Sequence, residues 1–385
     1  MSDPLPLQFR VHRSISEIPQ EAWDSLLDDG ATPFLEWSWL DALEQSGSVA
    51  PRTGWHPRHA TLWQGSKLVA AAPAYLKDHS HGEFVFDWSW ATAAERVGLR
   101  YYPKLAVCVP MTPATGRRML VARGEDRASR ERQLISAIQQ YARSQDLSSV
   151  HVLFPTEQEI PNLEAAGLCI RLGVQYHWMN EGYASFEDFL ARFNAKRRHQ
   201  LRRERRALLE QKIQVRTVRG DELAGADPRE IFRLYCSTVD KYPWGQRQLV
   251  PAFFERALKQ FRHRVELVEA RREGRLVAGA FNLASADVLY GRYWGCLEDH
   301  PFLHFNVCLY HSIDECIGRG RRRFEPGAGG EHKLVRGFEP RLTYSAHWIL
   351  EPSLDRAVRA FLVHERAAIE RGLPSWRAET GFKSP

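Results

Sequence analysis

The sequence repeats itself over the length of a whole domain. When it is shifted by 170 positions, residues 154–178 fall on residues 324–348 and six of the 25 positions match. Chance would give about one or two matches at average residue frequencies. The matching pairs are Phe154/Phe324, Gly167/Gly337, Arg171/Arg341, Leu172/Leu342, His177/His347 and Trp178/Trp348. A repeat of this length favours two tandem copies of one unit; the alternative is coincidence between two amphipathic strand, helix and strand segments.

A second echo lies upstream of the first. Residues 65–72 resemble residues 274–280, and residues 88–90 faintly resemble residues 293–295. Each half alternates strands with helices, which predicts α/β units with mixed sheets. We expect a first domain over 1–184, a connecting helix over 185–212 and a second domain over 213–385, each domain being of ordinary size.

The composition of the chain indicates which kinds of partner and which cellular compartment to expect. The net charge of +6 and the pI near 9.0 favour anionic partners such as phosphates, nucleic acid or a membrane surface. No apolar run approaches the roughly 20 residues that cross a bilayer, and the first ten residues lack the layout of a signal peptide. The six cysteines are spread without a Cys-x-x-Cys pair, as in proteins of a reducing cytoplasm. We expect a cytoplasmic protein, with peripheral binding at the inner membrane face as an alternative.

Local patterns predict individual elements. Residues 129–145 have helical spacing of apolar side chains, and residues 265–270 and 275–283 read as a hairpin around a Gly turn. Three further expectations are a strand over 84–88, a pair of strands over 168–179, and one long helix over 186–211 that begins at a capping box formed by Ser185 and Asp188.

The segment 194–206 reads NAKRRHQLRRERR, with seven Lys or Arg residues and one acid. A helix of this composition repels itself unless an anion lies on it, since solvated helices usually alternate charge sign. Arginine grips phosphate oxygens in bidentate fashion, so we predict an anchor for a phosphate-bearing ligand. The alternative is a basic surface neutralised by the protein's own acids, such as Glu187, Asp188 or Glu230. The anchor residues we select are Lys196, Arg197, Arg202 and Arg203.

A glycine-rich loop over 325–333 follows a predicted strand. Glycine lets backbone amides approach a ligand closely, and acyl transfer needs donors for an oxyanion as well as a base. We predict Glu331 and His332 as catalytic residues, and Lys333 and Arg336 as ligands for a carboxylate or phosphate. The alternative is a turn whose Glu and His only cap the next helix.

Two sites in the first half are further candidates. Asp87 lies among aromatic residues, where an unpaired carboxylate has a raised pKa, so it is a candidate base; pairing with Arg96 or Arg100 is the alternative. Thr112, Thr115 and Gly116 form a Thr/Pro/Gly loop that is either a rim for ligand binding or a surface loop.

Several other classes of site are not expected. The pairs His56/His59 and His79/His81 lack a third ligand group, so we predict no metal site. The sequence contains no Gly-x-Ser-x-Gly elbow and no Walker or Rossmann fingerprint, which argues against ATP or NAD as a cofactor. His177 and His347 precede the repeated tryptophans and are expected in the core.

The order of elements resembles tandem GNAT acyltransferase units, and the chain as a whole is similar to the FemAB-like predicted N-acyltransferases, relatives of the Fem-type peptidoglycan aminoacyltransferases. The segments that carry the resemblance span most of the chain: residues 86–91, 101–105, 109–116, 193–198, 325–333, 337–338 and 344–348. It implies acyl transfer to an amine or, less often, a hydroxyl. The donor stays open between acyl-CoA and aminoacyl-tRNA, because the sequence shows neither a long helical arm nor a clear pyrophosphate loop.

These lines together predict an acyltransferase. The acyl group moves by direct attack from acyl-CoA or an aminoacyl carrier to an amine of a phosphate-bearing acceptor, such as a lipid-linked or other cell-envelope precursor. The alternative function is a non-catalytic module that binds RNA or another anionic ligand on the same scaffold.

Overall fold

The computed structural model describes residues 5–241 and 245–383. By packing, the chain forms two compact units. Unit 1 runs to Gly173 and includes Leu342–Glu370; unit 2 consists of Val174–Arg341 and the described residues from Arg371 on. The domain boundaries predicted from the sequence, at residues 184 and 212, refer to the two copies of a repeated unit. The division into two units by packing does not test them, and they stay a prediction.

The part of unit 1 between residues 5 and 168 contains strands of two sheets and five α-helices. The strands are β1 (Leu7–His12), β2 (Trp55–Pro57), β3 (His59–Gln64), β4 (Lys67–Ala72), β5 (Ala74–Lys77), β6 (Lys104–Val107), β7 (Leu120–Val121) and β8 (Ser149–Leu153). The helices are α1 (Gln20–Asp24), α2 (Trp37–Gln45), α3 (Trp88–Arg96), α4 (Arg127–Ser144) and α5 (Ile160–Ala165).

The two sheets of unit 1 enclose an apolar core. One sheet has the order β1-β3-β4-β7, and in the other β2 pairs with β5, β5 with β6, and β6 runs parallel to β8. The parallel pair requires a crossover, which α4 supplies. Leu134, Ile135 and Ile138 of α4 are buried in this core, as the helical spacing predicted.

Unit 2 is built on one mixed sheet. Its elements are β9 (Cys169–Met179, from Val174 on), α6 (Phe186–Ala191), α7 (Ala195–Glu210), β10 (Ile213–Arg219), α8 (Pro228–Val239), α9 (Pro251–Gln260), β11 (Val265–Arg272), β12 (Arg275–Ala284), β13 (Val288–Cys296), α10 (Leu303–Phe305), α11 (His311–Gly318) and β14 (Arg323–Glu325). The strand order is β10-β11-β12-β13-β14-β9, antiparallel except for β13 and β14. The helical crossover between β13 and β14 includes a π-helical segment over Asn306–Tyr310. The remaining elements are β15 (Glu339–Ile349) and α12 (Pro352–Ala378).

The structure bears out the main part of the repeat. When the sequence is shifted by 170 residues, strand β9 coincides with strand β15 over its whole length, because the ends of β9 at residues 169 and 179 fall on the ends of β15 at residues 339 and 349. The upstream echo maps the β3–β4 hairpin onto the β11–β12 hairpin. The faint echo of residues 88–90 in 293–295 is wrong, because the first segment begins α3 and the second lies in β13.

Three local predictions are wrong, each for a visible reason. Residues 84–88 are not a strand, because α3 begins at Trp88 and buries Trp90 and Ala94 at helical spacing. Residues 168–179 are one strand rather than two. The helix expected over 186–211 is broken into α6 and α7, where Asn194 caps α7 by accepting a hydrogen bond from the backbone N–H of Arg197 at 2.9 Å.

The start of the broken helix was predicted correctly in part. The Ser185 hydroxyl accepts a hydrogen bond from the N–H of Asp188 at 3.1 Å, as in a capping box. The Asp188 carboxylate, however, accepts from the N–H of Ala184 rather than that of Ser185. The Asp188 carboxylate therefore caps the start of α6, and it is not the partner of the basic residues of α7 that the alternative interpretation expected.

Candidate functional site

A cavity of about 470 Å³ opens in unit 2 beside β12, β13 and the glycine-rich loop. Aromatic, basic and small side chains share its wall. The lining residues are Thr238, Lys241, Ala280, Asn282, Gly291, Arg292, Tyr293, Trp294, His304, Cys308, Leu309, Pro326, Ala328, Gly329, Gly330, His332 and Lys333. A concave site that combines apolar and aromatic side chains with convergent polar groups is typical of ligand sites.

The glycine-rich loop has a backbone shape that side chains disfavour. Gly327, Gly329 and Gly330 have φ values of 88°, 70° and 90°, a region open to glycine at no steric cost. The Lys333 ammonium closes the loop by donating to the carbonyl oxygens of Gly327 at 2.9 Å and Gly329 at 2.6 Å. The loop is therefore fixed, and Gly329 and Gly330 bring backbone to the cavity wall beside Pro326 and Ala328.

His332 brings an uncharged imidazole to this cavity. Burial lowers its pKa, and the positive charges of Lys333 and Arg336 lower it further. Its Nε2 is buried and has no hydrogen-bond partner among the residues that the structure describes. The ring stands 5.6 Å from the ring centres of both His304 and Phe305. At neutral pH this imidazole is therefore able to accept a proton.

The neighbouring titratable groups are also perturbed by burial. Burial lowers the pKa of Lys333 to about 8 and that of His304 to about 4. Lys333 thus changes charge near physiological pH, while His304 stays neutral. Clusters of such shifts in a cleft are characteristic of functional sites.

Glu325, the last residue of β14, is a buried acid directly before the loop. Burial raises its pKa to about 7. Arg323 Nε lies 2.9 Å from its Oε1 and His177 Nε2 lies 4.0 Å from its Oε2, yet neither oxygen receives a well-aligned hydrogen bond within the described chain. Glu325 does not line the cavity, so we assign it no contact with a ligand.

The helical crossover of unit 2 separates two depressions. His304 and Cys308 face the cavity, whereas Asn306 and Tyr310 line a groove of about 680 Å³ on the other side. The π-helical segment over Asn306–Tyr310 widens the turn between these positions. Such segments occur often at functional sites.

The groove, which we call the α7 groove, is lined by both basic and apolar side chains. Its lining residues are Glu187, Arg202, Arg205, Arg206, Leu208, Leu209, Ile213, Val215, Asn306, Tyr310 and His311. Two of its three arginines already have acidic partners: Arg202 contacts Glu187 at 2.6 Å and Arg205 contacts Asp314 at 2.9 Å. Both pairs are partly exposed, and such contacts contribute about 0–1 kcal/mol to stability.

Of the four predicted anchor residues, Arg202 lies in the α7 groove and the other three do not line it. Lys196 and Arg203 are exposed, and Arg203 lies 6.0 Å from the ring centre of Phe302. Arg197 donates to Gln200 at 2.9 Å. Arg205 and Arg206 are groove residues that the sequence did not single out. The alternative interpretation is confirmed in one detail, since Glu187 is a partner of the basic helix.

Arg336 does not face the cavity, contrary to expectation. It is buried and donates from Nη2 to both carboxylate oxygens of Glu204, at 2.9 and 3.1 Å. Its Nη1 donates to the carbonyl oxygen of His332 at 2.8 Å, and its guanidinium lies 3.4 Å from the ring centre of Phe305. Tyr310 also donates to Glu204. Arg336 therefore positions the loop that carries His332 instead of presenting its charge to a ligand.

The structure places Glu331 and Asp87 differently from His332. Glu331 is exposed at the start of a 3-10 turn and does not line the cavity. Asp87, in unit 1, is 1% exposed and accepts hydrogen bonds from Lys104 at 2.5 Å and Tyr101 at 2.7 Å. Burial alone would raise its pKa, but the charge of Lys104 outweighs burial and lowers it. The partner is thus Lys104, not Arg96 or Arg100, and the catalytic role of Asp87 stays a prediction.

The loop with Thr112, Thr115 and Gly116 is a packed element, not a surface loop. The Thr112 hydroxyl donates to the carbonyl oxygen of Pro110 at 2.9 Å. Buried Arg118 donates to the carbonyl oxygens of Ala114 and Gly116. These three residues line neither the cavity nor the α7 groove, and ligand binding by them stays a prediction.

Sequence reasoning missed Lys104, Glu204 and Tyr310. Glu204 had a signal, because it is the one acid within the basic run 194–206. Lys104 lies in the segment 101–105 that carries the family resemblance, but nothing in the sequence indicated its partners. Tyr310 had no signal, since its partners are distant in sequence. His177 and His347 are buried, 6% and 0% exposed, as predicted.

Three findings relate the chain to known proteins. A family model named FemAB-like, described as peptidoglycan biosynthesis/recognition, matches residues 14–384. The C-terminal domain of a putative lysylphosphatidylglycerol synthetase from Agrobacterium fabrum has 12% identity and a TM-score of 0.53, with 92% of this chain and 97% of that chain covered. FemX also has 12% identity and a TM-score of 0.53, with 92% and 100% covered.

A weaker structural match is a tandem GNAT protein from the clavulanic acid biosynthesis pathway, with 13% identity, 90% and 99% coverage and a TM-score of 0.47. No curated protein has a significantly similar sequence. At these identities the structural matches show the fold alone, and the predicted mixed α/β class with mixed sheets is confirmed. Within the described residues, no helix is both long and apolar enough to span a membrane.

Proposed function

This chain belongs to the FemAB-like family, and from that premise we propose that unit 2 transfers an acyl or aminoacyl group to an amine of a phosphate-bearing acceptor. Membership makes the chain an enzyme of acyl or aminoacyl transfer in general terms. The donor, acyl-CoA or an aminoacyl carrier, and the acceptor, a cell-envelope precursor, are the proposal. The family's description favours that class of acceptor.

One observation carries the assignment of the site. The cavity brings together the backbone of Gly329 and Gly330, both with positive φ, an uncharged imidazole and a lysine whose pKa is about 8. Acyl transfer needs donors at the developing oxyanion and a base for the attacking amine. The loop amides are suited to the first task and His332 Nε2 to the second.

The reaction proceeds by direct attack. The acceptor nitrogen forms a bond to the donor carbonyl carbon, and His332 Nε2 takes a proton from that nitrogen. The tetrahedral oxyanion then collapses, the bond to the leaving sulfur or oxygen breaks, and the leaving group receives a proton. Cys308 lines the same cavity, but burial raises its pKa. A thiol kept protonated is a poor nucleophile, which supports attack without a covalent enzyme intermediate.

The α7 groove is our choice for a phosphate that is remote from the reacting amine in a long acceptor, because the helical crossover separates the groove from the cavity. Arg202, Arg205 and Arg206 converge there, and guanidinium groups suit phosphate oxygens. Binding energy from a remote part of the substrate helps to orient the reacting amine. Lys241 and Lys333 in the cavity are suited to an anionic part of the donor.

The test combines ligand binding with product detection. Thermal shifts are measured with coenzyme A, acyl-CoAs, aminoacyl-tRNA and UDP-linked precursors, because a ligand of the native state raises stability. Mass spectrometry then follows acyl transfer with the ligands that bind. We expect a donor and an acceptor each to stabilise the wild-type protein, and product to form when both are present.

His332→Gln is compared with Glu331→Gln as a matched control on the adjacent, exposed position. We expect the first to abolish most of the product and the second to leave it. Binding of RNA with a steep salt dependence, and no acyl product with any donor, would instead favour the non-catalytic module.

A further inference from the structure

The wall of the unit 2 cavity carries cations and, among the residues that the structure describes, no acid. Lys241, Arg292 and Lys333 line the cavity, and no Asp or Glu side chain does. Two acids are close to these cations but outside the wall. Asp299 contacts Lys241 at 3.6 Å from an exposed position, and Glu325, which interacts with Arg292, does not line the cavity. The charged side chains that a ligand meets in this wall are therefore positive.

Lys333 is a buried ammonium group without a counter-charge. It is 6% exposed, and its partners in the described chain are the carbonyl oxygens of Gly327 and Gly329 and no carboxylate. Burial without a negative neighbour is what lowers its pKa to about 8. Buried charges are costly unless they are paired, and an ammonium group has three N–H donors. The third donor is left for a ligand, and an anion there would balance the charge.

Asn282 of β12 is a second buried polar group that is directed into the cavity. It is 3% exposed and lines the cavity together with Ala280, whereas Phe281 between them packs against Phe254 on the other face of the sheet. The Asn282 amide makes no hydrogen bond with any residue of the described chain. Buried amides are nearly always hydrogen-bonded. A ligand group is therefore the partner that Asn282 lacks.

Both polar groups lie close to the proposed base. A Cβ atom on Gly330 would lie 2.8 Å from Cε1 of His332 and 3.3 Å from Cε of Lys333, so these two side chains meet at Gly330. Asn282 pairs with Gly291 across the ladder of β12 and β13, and Gly291 packs against the glycine-rich loop. Lys333 and Asn282 are thus both next to the loop where the acyl carbonyl is proposed to react.

The charge of the wall distinguishes between classes of acyl group. An aminoacyl group carries its amine on the carbon next to the reacting carbonyl, and an α-amino group with a pKa of about 7.7–8.0 is largely protonated at neutral pH. That ammonium group would lie beside the ammonium of Lys333, where water is excluded and like charges repel strongly. A carboxylate would instead accept charge-assisted hydrogen bonds from Lys333 and the Asn282 amide.

We propose that the cavity takes an acyl group that ends in a carboxylate, which Lys333 and Asn282 bind, and that it excludes aminoacyl groups. This inference rests on the proposed function, because His332 and the loop place the acyl carbonyl, and it narrows the donor to one whose acyl group has no ammonium. Asn282 is then a specificity-determining residue that contacts the far end of the acyl group and takes no part in proton transfer.

Four small amides that resemble the transfer product test this preference by isothermal titration calorimetry of the full chain at neutral pH. On the acyl side, N-propylsuccinamic acid ends in a carboxylate, N-propylbutanamide in a methyl group and N-propyl-β-alaninamide in an ammonium group. N-butyryl-β-alanine is an isomer of the first with the carboxylate on the amine side. None contains a phosphate, so the result does not depend on the carrier of the acyl group.

We expect N-propylsuccinamic acid to bind about tenfold more tightly than N-propylbutanamide or N-butyryl-β-alanine, the effect of one charge-assisted hydrogen bond. The ammonium amide is expected not to bind measurably.

Asn282→Asp tests the subsite with little change of shape, because the new carboxylate supplies Lys333 with the missing counter-charge. It should lower the affinity for N-propylsuccinamic acid about tenfold and leave that for N-propylbutanamide unchanged. The matched control, Asn194→Asp, adds the same charge to unit 2 at a helix cap, where Asn and Asp are equally favourable, and should bind like the wild type. Thermal unfolding verifies that each variant folds; if Asn282→Asp does not, Asn282→Ala is used with the same expected direction.

Several outcomes would overturn the proposal. Equal affinities of the wild-type protein for the carboxylate and methyl amides would assign the Lys333 ammonium to the oxyanion instead. Tighter binding of N-butyryl-β-alanine would give the carboxylate to the acceptor, and tighter binding of the ammonium amide, or binding of none of the four, would refute the subsite outright. Failure of the proposed function is a separate result: a carboxylate preference in a protein that forms no acyl product would retain the subsite and reject the transfer.

Discussion

Arg336 and Glu204 form a buried ion pair that joins the loop of His332 to helix α7. Each is 5% exposed or less, and the two side chains share three hydrogen bonds, at 2.9, 3.1 and 3.2 Å. Because Arg336 also donates to the carbonyl oxygen of His332, the pair couples the position of the proposed base to the basic helix. The one acid of the basic run 194–206 thus serves the core of unit 2 and not its surface.

Removing this acid is expected to destabilise the protein strongly. Glu204→Gln leaves the Arg336 guanidinium buried without a counter-charge, and breaking such a pair costs about 3–5 kcal/mol. Urea unfolding gives the free energy. The control is Glu210→Gln, an exposed position on the same helix, for which we expect a change within about 0.5 kcal/mol. Glu204→Leu combined with Arg336→Met should recover part of the loss; if it does not, the pair is not the cause.

Substitution of His332 tests the proposed base. His332→Gln is expected to lower kcat by about 10²–10⁴-fold, the usual contribution of a positioned base, with little change in stability. Glu331→Gln on the exposed neighbour should retain activity. Equal kcat values for His332→Gln and the wild type, measured once donor and acceptor are known, would contradict the assignment.

The pH dependence of kcat/KM follows from the perturbed groups. His332 must be neutral to accept a proton, and its pKa lies below 6.5, so activity should rise as pH increases through that range and then level. Lys333 loses its proton above a pKa of about 8, so activity should decline there. Lys333→Arg keeps the charge to higher pH and should remove the decline. An alkaline limb unchanged in this variant would mean that another group causes it.

The stability of the protein should also depend on Glu325. Its folded pKa of about 7 exceeds the ordinary value of 4.5, so the folded state holds a proton that the unfolded chain releases between these values. The free energy of unfolding contributed by this group therefore falls as pH rises from about 4.5 to 7. Glu325→Gln should be more stable than the wild type at about pH 8, by about 1–3 kcal/mol, and not at about pH 4. Parallel stability curves for the two proteins would refute the assignment.

Buried Lys104 of unit 1, which donates to Glu83 at 2.8 Å and to Asp87 at 2.5 Å, gives a second test of buried charge. Lys104→Met leaves Glu83 and Asp87 without their shared partner and should cost about 3–5 kcal/mol. Lys67→Met, at an exposed pair with Glu125, should cost no more than about 1 kcal/mol. The comparison uses thermal or urea unfolding, and similar losses for the two lysines would show that burial does not decide the effect.

The sequence by itself determined the repeated architecture, the hairpin of β11 and β12, α4, and the glycine-rich loop with His332 and Lys333. These depend on local patterns, such as the spacing of apolar side chains and the conformational freedom of glycine, which are written in neighbouring residues. It also indicated that the basic run is helical, although not that Asn194 starts a new helix.

Only the tertiary structure decided the partners of the charged groups. Glu204 and Arg336 are 132 residues apart, and the fate of Arg336 depends on a partner that no local pattern identifies. The same holds for Asp87, whose pKa was expected to rise if unpaired and which Lys104 instead lowers. Burial and charge pairing depend on residues that are far apart in the sequence. Arg336 and the arginines of α7 therefore look alike in the sequence, although Arg336 is buried and paired while Arg202, Arg203 and Arg206 are exposed.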